Sequence, residues 1–150
     1  MLDVNAINTL IASLIALFTA QILKFLGYGI FKHEWDVTRL YSNGGMPSSH
    51  AALVSCLTVS VLCYEGFSMI FCVCLIFSII ISHDAMNVRY ESSKHAIMLN
   101  KFIDELDDVE KKKLGIKGLL KERIGHKPKE VFVGLIYGAF IALIMFLILK

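Results

Sequence analysis

The sequence is short of proline, of paired cysteines and, outside one stretch, of charge. Only two of its 150 residues are proline, Pro47 and Pro128, and each stands where an apolar segment opens. Proline is tolerated at the first position of a helix, where its missing N–H costs nothing. The four cysteines, Cys56, Cys63, Cys72 and Cys74, all fall inside apolar runs. None has C-x-x-C spacing, so no metal site or disulfide is expected. They read as small apolar packing residues. No basic stretch precedes the first apolar run and no small-x-small site follows it in place, so a cleaved signal peptide is not expected. There is no internal repeat and no low-complexity tract. The net charge is only +2, and a nucleic-acid partner is not expected.

What the chain does have is hydrocarbon. It is 56% hydrophobic with a mean hydropathy of +0.65, too apolar for an ordinary soluble domain. Ile7–Phe31 is almost wholly apolar and long enough to cross a bilayer, which takes about 20 residues. Gln21 and Lys24 interrupt it on one face, being three apart. A lysine at that depth either snorkels to the interface or faces a polar site. Two further apolar segments, 50–64 and 67–83, are separated only by Glu65-Gly66, which predicts a tight helical hairpin. A fourth spans 131–149. The expected fold is therefore all-α: one integral membrane bundle over residues 1–150, with about four transmembrane segments and amphipathic interfacial helices beside them.

Charge is concentrated in one place. Only four of the fifteen Lys/Arg residues, Lys24, Lys32, Arg39 and Lys150, lie outside residues 84–130. Within 84–130, Lys94–Leu106 carries apolar residues at helical spacing and predicts an amphipathic surface helix. Asp104–Lys113 reads as a solvated helix face or loop, and Leu119–Ile124 as one more short helix. Trp35 and Tyr41 in the 32–46 loop are placed as interfacial aromatics, and His33 and His83 read as interfacial residues. The positive-inside rule puts this loop and 84–130 in the cytoplasm and both termini outside.

Chemistry-bearing residues cluster at that cytoplasmic boundary. Gly44-Gly45-Met46-Pro47-Ser48-Ser49-His50 runs into an apolar segment. With Met46 at the cap, Pro47 would open the helix and Ser48, Ser49 and His50 would fill its first turn. The free N–H groups and dipole of such a turn favour an anion, and phosphate would satisfy them together with two hydroxyls and an imidazole. Asp84 and Arg89 end the third segment. Arginine's planar fork suits phosphate. His95 follows six residues on, and Gly125-His126-Lys127-Pro128 opens the fourth segment. Lys24, His50, Asp84, Arg89 and His126 can all reach one interfacial cleft.

These stretches, Gly44–Ala52, Asp84–Arg89, Ile97–Asn100 and Gly125–Gly134, resemble the divergent branch of the type-2 phosphatidic acid phosphatase superfamily over nearly the whole chain. The resemblance implies a metal-independent phosphatase that works through a phosphohistidine. It makes His50 the general acid and gives Lys24, Arg89, Arg39, Gly45, Ser48 and Ser49 to the phosphate. The wider superfamily has Lys with a downstream Arg-Pro, then Pro-Ser-Gly-His, then Ser-Arg-x5-His-x3-Asp. Here Phe31 stands where the Arg would follow Lys24, Val88 precedes Arg89, and Leu99 takes the place of the Asp after His95. The nucleophile is accordingly open between His95 and His126, with Asp84 to orient whichever it is.

The expected function is hydrolysis of a lipid phosphomonoester or diphosphate. Cytoplasmic motifs favour phosphatidylglycerophosphate, with phosphatidic acid and prenyl diphosphates behind it. A lipid-phosphate-binding protein without chemistry is the alternative. A transporter subunit would need more intramembrane polar residues than Gln21 and Lys24, and the vanadate haloperoxidase relatives are soluble as a group. Four short spans are few for a superfamily whose core has six helices, so amphipathic segments could complete the bundle or two chains could pair.

Overall fold

The computed structural model describes residues 3–33, 35, 44–122 and 125–150; Arg39 and Tyr41 lie outside them. Six helices follow in order: α1 (Val4–Lys32), α2 (Ser49–Glu65), α3 (Met69–Met86), α4 (Val88–Glu105), α5 (Asp108–Lys113) and α6 (Pro128–Leu149). No strand occurs among the described residues. Three helical stretches are long and apolar enough to cross a membrane: Val4–Ile30, the α3–α4 stretch Met69–Glu105, and Pro128–Leu149. α2 is apolar but has 17 residues, a rise of about 25 Å. The result is an all-α membrane bundle.

α2 lies at the centre and packs on α6, α1 and α3. Small side chains make this possible. On α1, Ala12, Ala16 and Ala20 recur every fourth residue, and all are at most 2% exposed. Positions four apart share one helix face. On α6, Val131, Gly134, Gly138 and Ala142 form the buried stripe. A Cβ built on Gly134 would sit 2.5 Å from the Ser48 carbonyl oxygen, and one on Gly138 would sit 2.2 Å from that of Ala52. The two backbones therefore touch where no side chain intervenes, the close approach that small residues permit in lipid.

Hydroxyls stitch the same interfaces. Ser55 Oγ donates to the Leu135 carbonyl at 2.6 Å. Thr58 Oγ1 donates to Cys74 O at 3.2 Å, and Tyr137 Oη donates to Thr19 Oγ1 at 2.8 Å. Each satisfies a polar group away from water, where an unpaired one is costly.

The hairpin expected at Glu65-Gly66 is present. Gly66 caps α2 at φ 66°, and Ser68 caps α3, accepting from Phe71 N at 3.2 Å. Three details differ from the sequence reading. α2 begins two residues later than expected, with Ser48 rather than Met46 at its cap, because Ser48 supplies an oxygen to Ala51 N that methionine lacks. The amphipathic helix begins earlier, at Val88, directly after α3 with only Asn87 between. Residues 119–122 are not helical. Asn100 holds them, donating Nδ2 to Leu120 O at 2.9 Å and accepting from Leu120 N at 2.8 Å. A side-chain amide that pairs with backbone in this way competes with helix formation.

Candidate functional site

The site lies where the start of α2, the end of α3 and the start of α6 converge over α1. Lys24 is one turn beyond Ala20 on the buried stripe of α1 and is 1% exposed. The loop before α2 crosses directly over it: Gly45 takes φ +103°, and a Cβ there would meet Lys24 Cγ at 3.2 Å and Tyr28 Cε2 at 3.0 Å. Only glycine holds that conformation without strain. Ser48 and Ser49 are both buried, and Ser48 N donates to the Glu130 carbonyl at 3.0 Å. His50, in the first turn of α2, remains exposed.

Gly125-His126-Lys127-Pro128 threads between α4 and the end of α3. A Cβ on Gly125 would lie 2.3 Å from Tyr90 N, so the chain presses on α4 there. Gly125 N donates to Ser93 Oγ at 3.1 Å, and His126 N donates to Ala85 O at 3.1 Å. The His126 ring is thereby carried into the interior, 3% exposed. Its Nδ1 lies 3.1 Å from Glu130 Oε2. The carboxylate also accepts from Gly45 N at 3.3 Å and from Lys127 N at 3.2 Å. An ionised carboxylate can only accept, so Nδ1 carries the proton in this contact and Nε2 is the ring nitrogen left to face a ligand. Nε2 is buried and has no hydrogen-bond partner in the structure.

His126, Arg89 and Lys24 are within electrostatic reach of His50, and Glu130 is within reach of Lys24. Arg89 Nε donates to Asp84 Oδ2, an ion pair exposed by 47% and 38% at its two side chains. Asp84, expected to orient the reacting histidine, is thus placed on Arg89. His95 is exposed on α4, whereas Ser93, Ala96 and Asn100 form that helix's buried face. Of the residues the sequence singled out, the structure brings together Lys24, Gly45, Ser48, Ser49, His50, Arg89 and His126, with Asp84 at the rim. It leaves His95 outside. Among the described residues no group of three His, Cys, Asp or Glu side chains could hold a metal ion.

Glu130 is the residue the sequence reading passed over. Its signal was the four-residue step from His126 across a helix start, a spacing that brings side chains together. A carboxylate that holds an imidazole, a buried ring nitrogen with no hydrogen-bond partner, a second imidazole and two cations form a set that can hold a phosphoryl group.

Residues 6–141 match the Divergent PAP2 family, and the chain belongs to that family. It is 36% identical over 148 residues to the uncharacterized membrane protein YuiD of Bacillus subtilis (strain 168), covering 91% of this chain and 92% of that protein. No solved structure matches it. Together with its apolar helices, this makes the chain an integral membrane protein.

Proposed function

We propose that this protein is a lipid-phosphate phosphatase in which His126 is the nucleophile and Glu130 its positioning residue. The observation that carries the reading is the buried His126 ring, held at Nδ1 by Glu130 and unpartnered at Nε2, with His50 within electrostatic reach. In the first step Nε2 attacks phosphorus, a P–N bond forms, and the P–O bond to the lipid breaks. Protonated His50 gives its proton to the departing oxygen. In the second step His50 takes a proton from water, the resulting hydroxide attacks phosphorus, and the P–N bond breaks to release inorganic phosphate. Lys24 and Arg89 offset the phosphoryl charge, and the first-turn N–H groups of α2 add to them. With the basic residues of 84–130 on the cytoplasmic side, the substrate comes from the inner leaflet, and phosphatidylglycerophosphate leads the candidates.

The test is phosphate release by purified protein from phosphatidylglycerophosphate, phosphatidic acid and prenyl diphosphates. His126→Ala and His50→Ala should each lower turnover by about 10³-fold or more, and acid-labile phosphate should be found on His126 of the unaltered protein during turnover and be absent from His126→Ala. Full activity in His126→Ala would end this assignment. One observation favours a second reading, a lipid-phosphate-binding protein without chemistry: Arg89 Nε is already paired with Asp84. Binding of these lipids with no release from any of them would select it.

A further inference from the structure

Two cavities are lined by the chain neighbours of the His126–Glu130 pair, one of them also by Glu130 itself, and they differ in character. One, of about 360 Å³, has polar walls that include Tyr90, Ser93, Lys127 and Glu130. The other, of about 600 Å³, is a groove between the ends of α3 and α6 whose lining is almost wholly apolar: Met46, Met86, Val131, Phe132 and Leu135, with Lys129 beside them. Its volume is in the range of ligand pockets, about 300–1,000 Å³.

We propose that the apolar groove holds the hydrocarbon chain of the substrate, so that the lipid presents its phosphate to His126 from the bilayer side. This rests on the phosphatase reading of the adjoining site. The argument is one of continuity along the chain. Met46 follows Gly45, whose N–H points to Glu130. Met86 follows Ala85, whose carbonyl holds the His126 backbone. Val131 follows Glu130 itself. Three walls of the groove are each one residue from a group that builds the anion site. A ligand occupying both compartments must therefore be an amphiphile in which the apolar chain begins within a few bonds of phosphorus. Two of the walls are methionines, unbranched and adaptable, so the groove accommodates chains of differing shape. Lys129 places a cation where the chain meets the headgroup.

The occupant can be mapped without turnover. The protein in bilayer nanodiscs would be irradiated with a phosphatidic acid carrying a diazirine on its acyl chain. Labelling concentrated on Met46, Met86 and the first two turns of α6 is expected, falling about tenfold in Met46→Trp, which fills the groove from its exposed side. Label spread evenly over the outward faces of α1 and α3, and unchanged in Met46→Trp, would mean annular lipid only and would overturn the proposal. In parallel, Met46→Trp and Leu135→Trp should lower kcat/KM for a long-chain phosphatidic acid about tenfold while leaving a short, water-soluble phosphate ester within about twofold. Equal loss on both substrates would also overturn it. If neither substrate is hydrolysed by the unaltered protein, the phosphatase reading fails, and the label map still decides the groove.

Discussion

The molecule has a tightly packed half and a loosely packed half, and the candidate site draws on both. In the trio α1, α2 and α6, alanines and glycines let backbones touch, and of the site residues it carries, Lys24, Ser48, Ser49 and His126 are each no more than 3% exposed while His50 opens outward. The α3–α4 arm is different. On α3, Ile70, Val73, Ile76, Phe77, Ile79 and Ile80 are all more than half exposed, leaving them to lipid. The arm's site residues, Asp84 and Arg89, are partly or fully open, and His95 is exposed outside the site. Large apolar residues face lipid on α1 and α6 too, so what sets the trio apart is how closely its backbones approach. In a bilayer apolar bulk does not drive helices together, so close packing follows small residues rather than large ones.

If that contrast is real, substitutions should divide along it. The largest effect is expected from Gly138→Val. Its side chain would collide with the Ala52 carbonyl, and overpacking of this kind costs about 3 kcal/mol or more. Denaturation of the purified protein in detergent should show it, and a loss under about 1 kcal/mol would mean the trio is looser than described. Next comes Glu130→Gln, which keeps the shape but removes the negative charge that fixes the His126 tautomer. Turnover should fall by about 10² or more with KM little changed. Loss through KM alone would make Glu130 a binding residue instead.

Effects in the arm should be smaller. Asp84→Asn frees Arg89 from an exposed ion pair, the kind that contributes about 1 kcal/mol at most. It should shift KM by no more than about fivefold, the equivalent of that energy. A collapse of kcat would instead draw Asp84 into the chemistry. The smallest effect is expected for His95→Ala: an exposed position away from the buried face should leave turnover within about twofold. A dead His95→Ala enzyme would erase the division between the halves and return the nucleophile to α4.

Much of the frame was legible in the sequence because it rests on local signals. The apolar run of α1, the break at Glu65-Gly66 and the amphipathic period of α4 each declare themselves over a few turns. The convergence of Lys24, His50 and His126 could be argued from one membrane boundary. Other features depend on contacts across the fold. That the Ser48 N–H rests on the Glu130 carbonyl requires α6 to be in place. That 119–122 is not helical is decided by Asn100, which holds Leu120 from twenty residues away. The pairing of Glu130 with His126 was open to view as a four-residue step, but the competing acid, Asp84, drew the orienting role because it stood nearer the motif arginine.

The Asn100 clasp has one more consequence. It gathers the two ends of a 20-residue excursion, Asn100 and Leu120, with one side chain. The excursion carries α5, whose residues are all outside the core. Lengthening a loop whose ends are already held costs little, since closure entropy grows only slowly with length. Residues 106–118 are thus the part of this protein where the chain can be extended, tagged or exchanged while Gly125 still presses on α4 and His126 keeps its place.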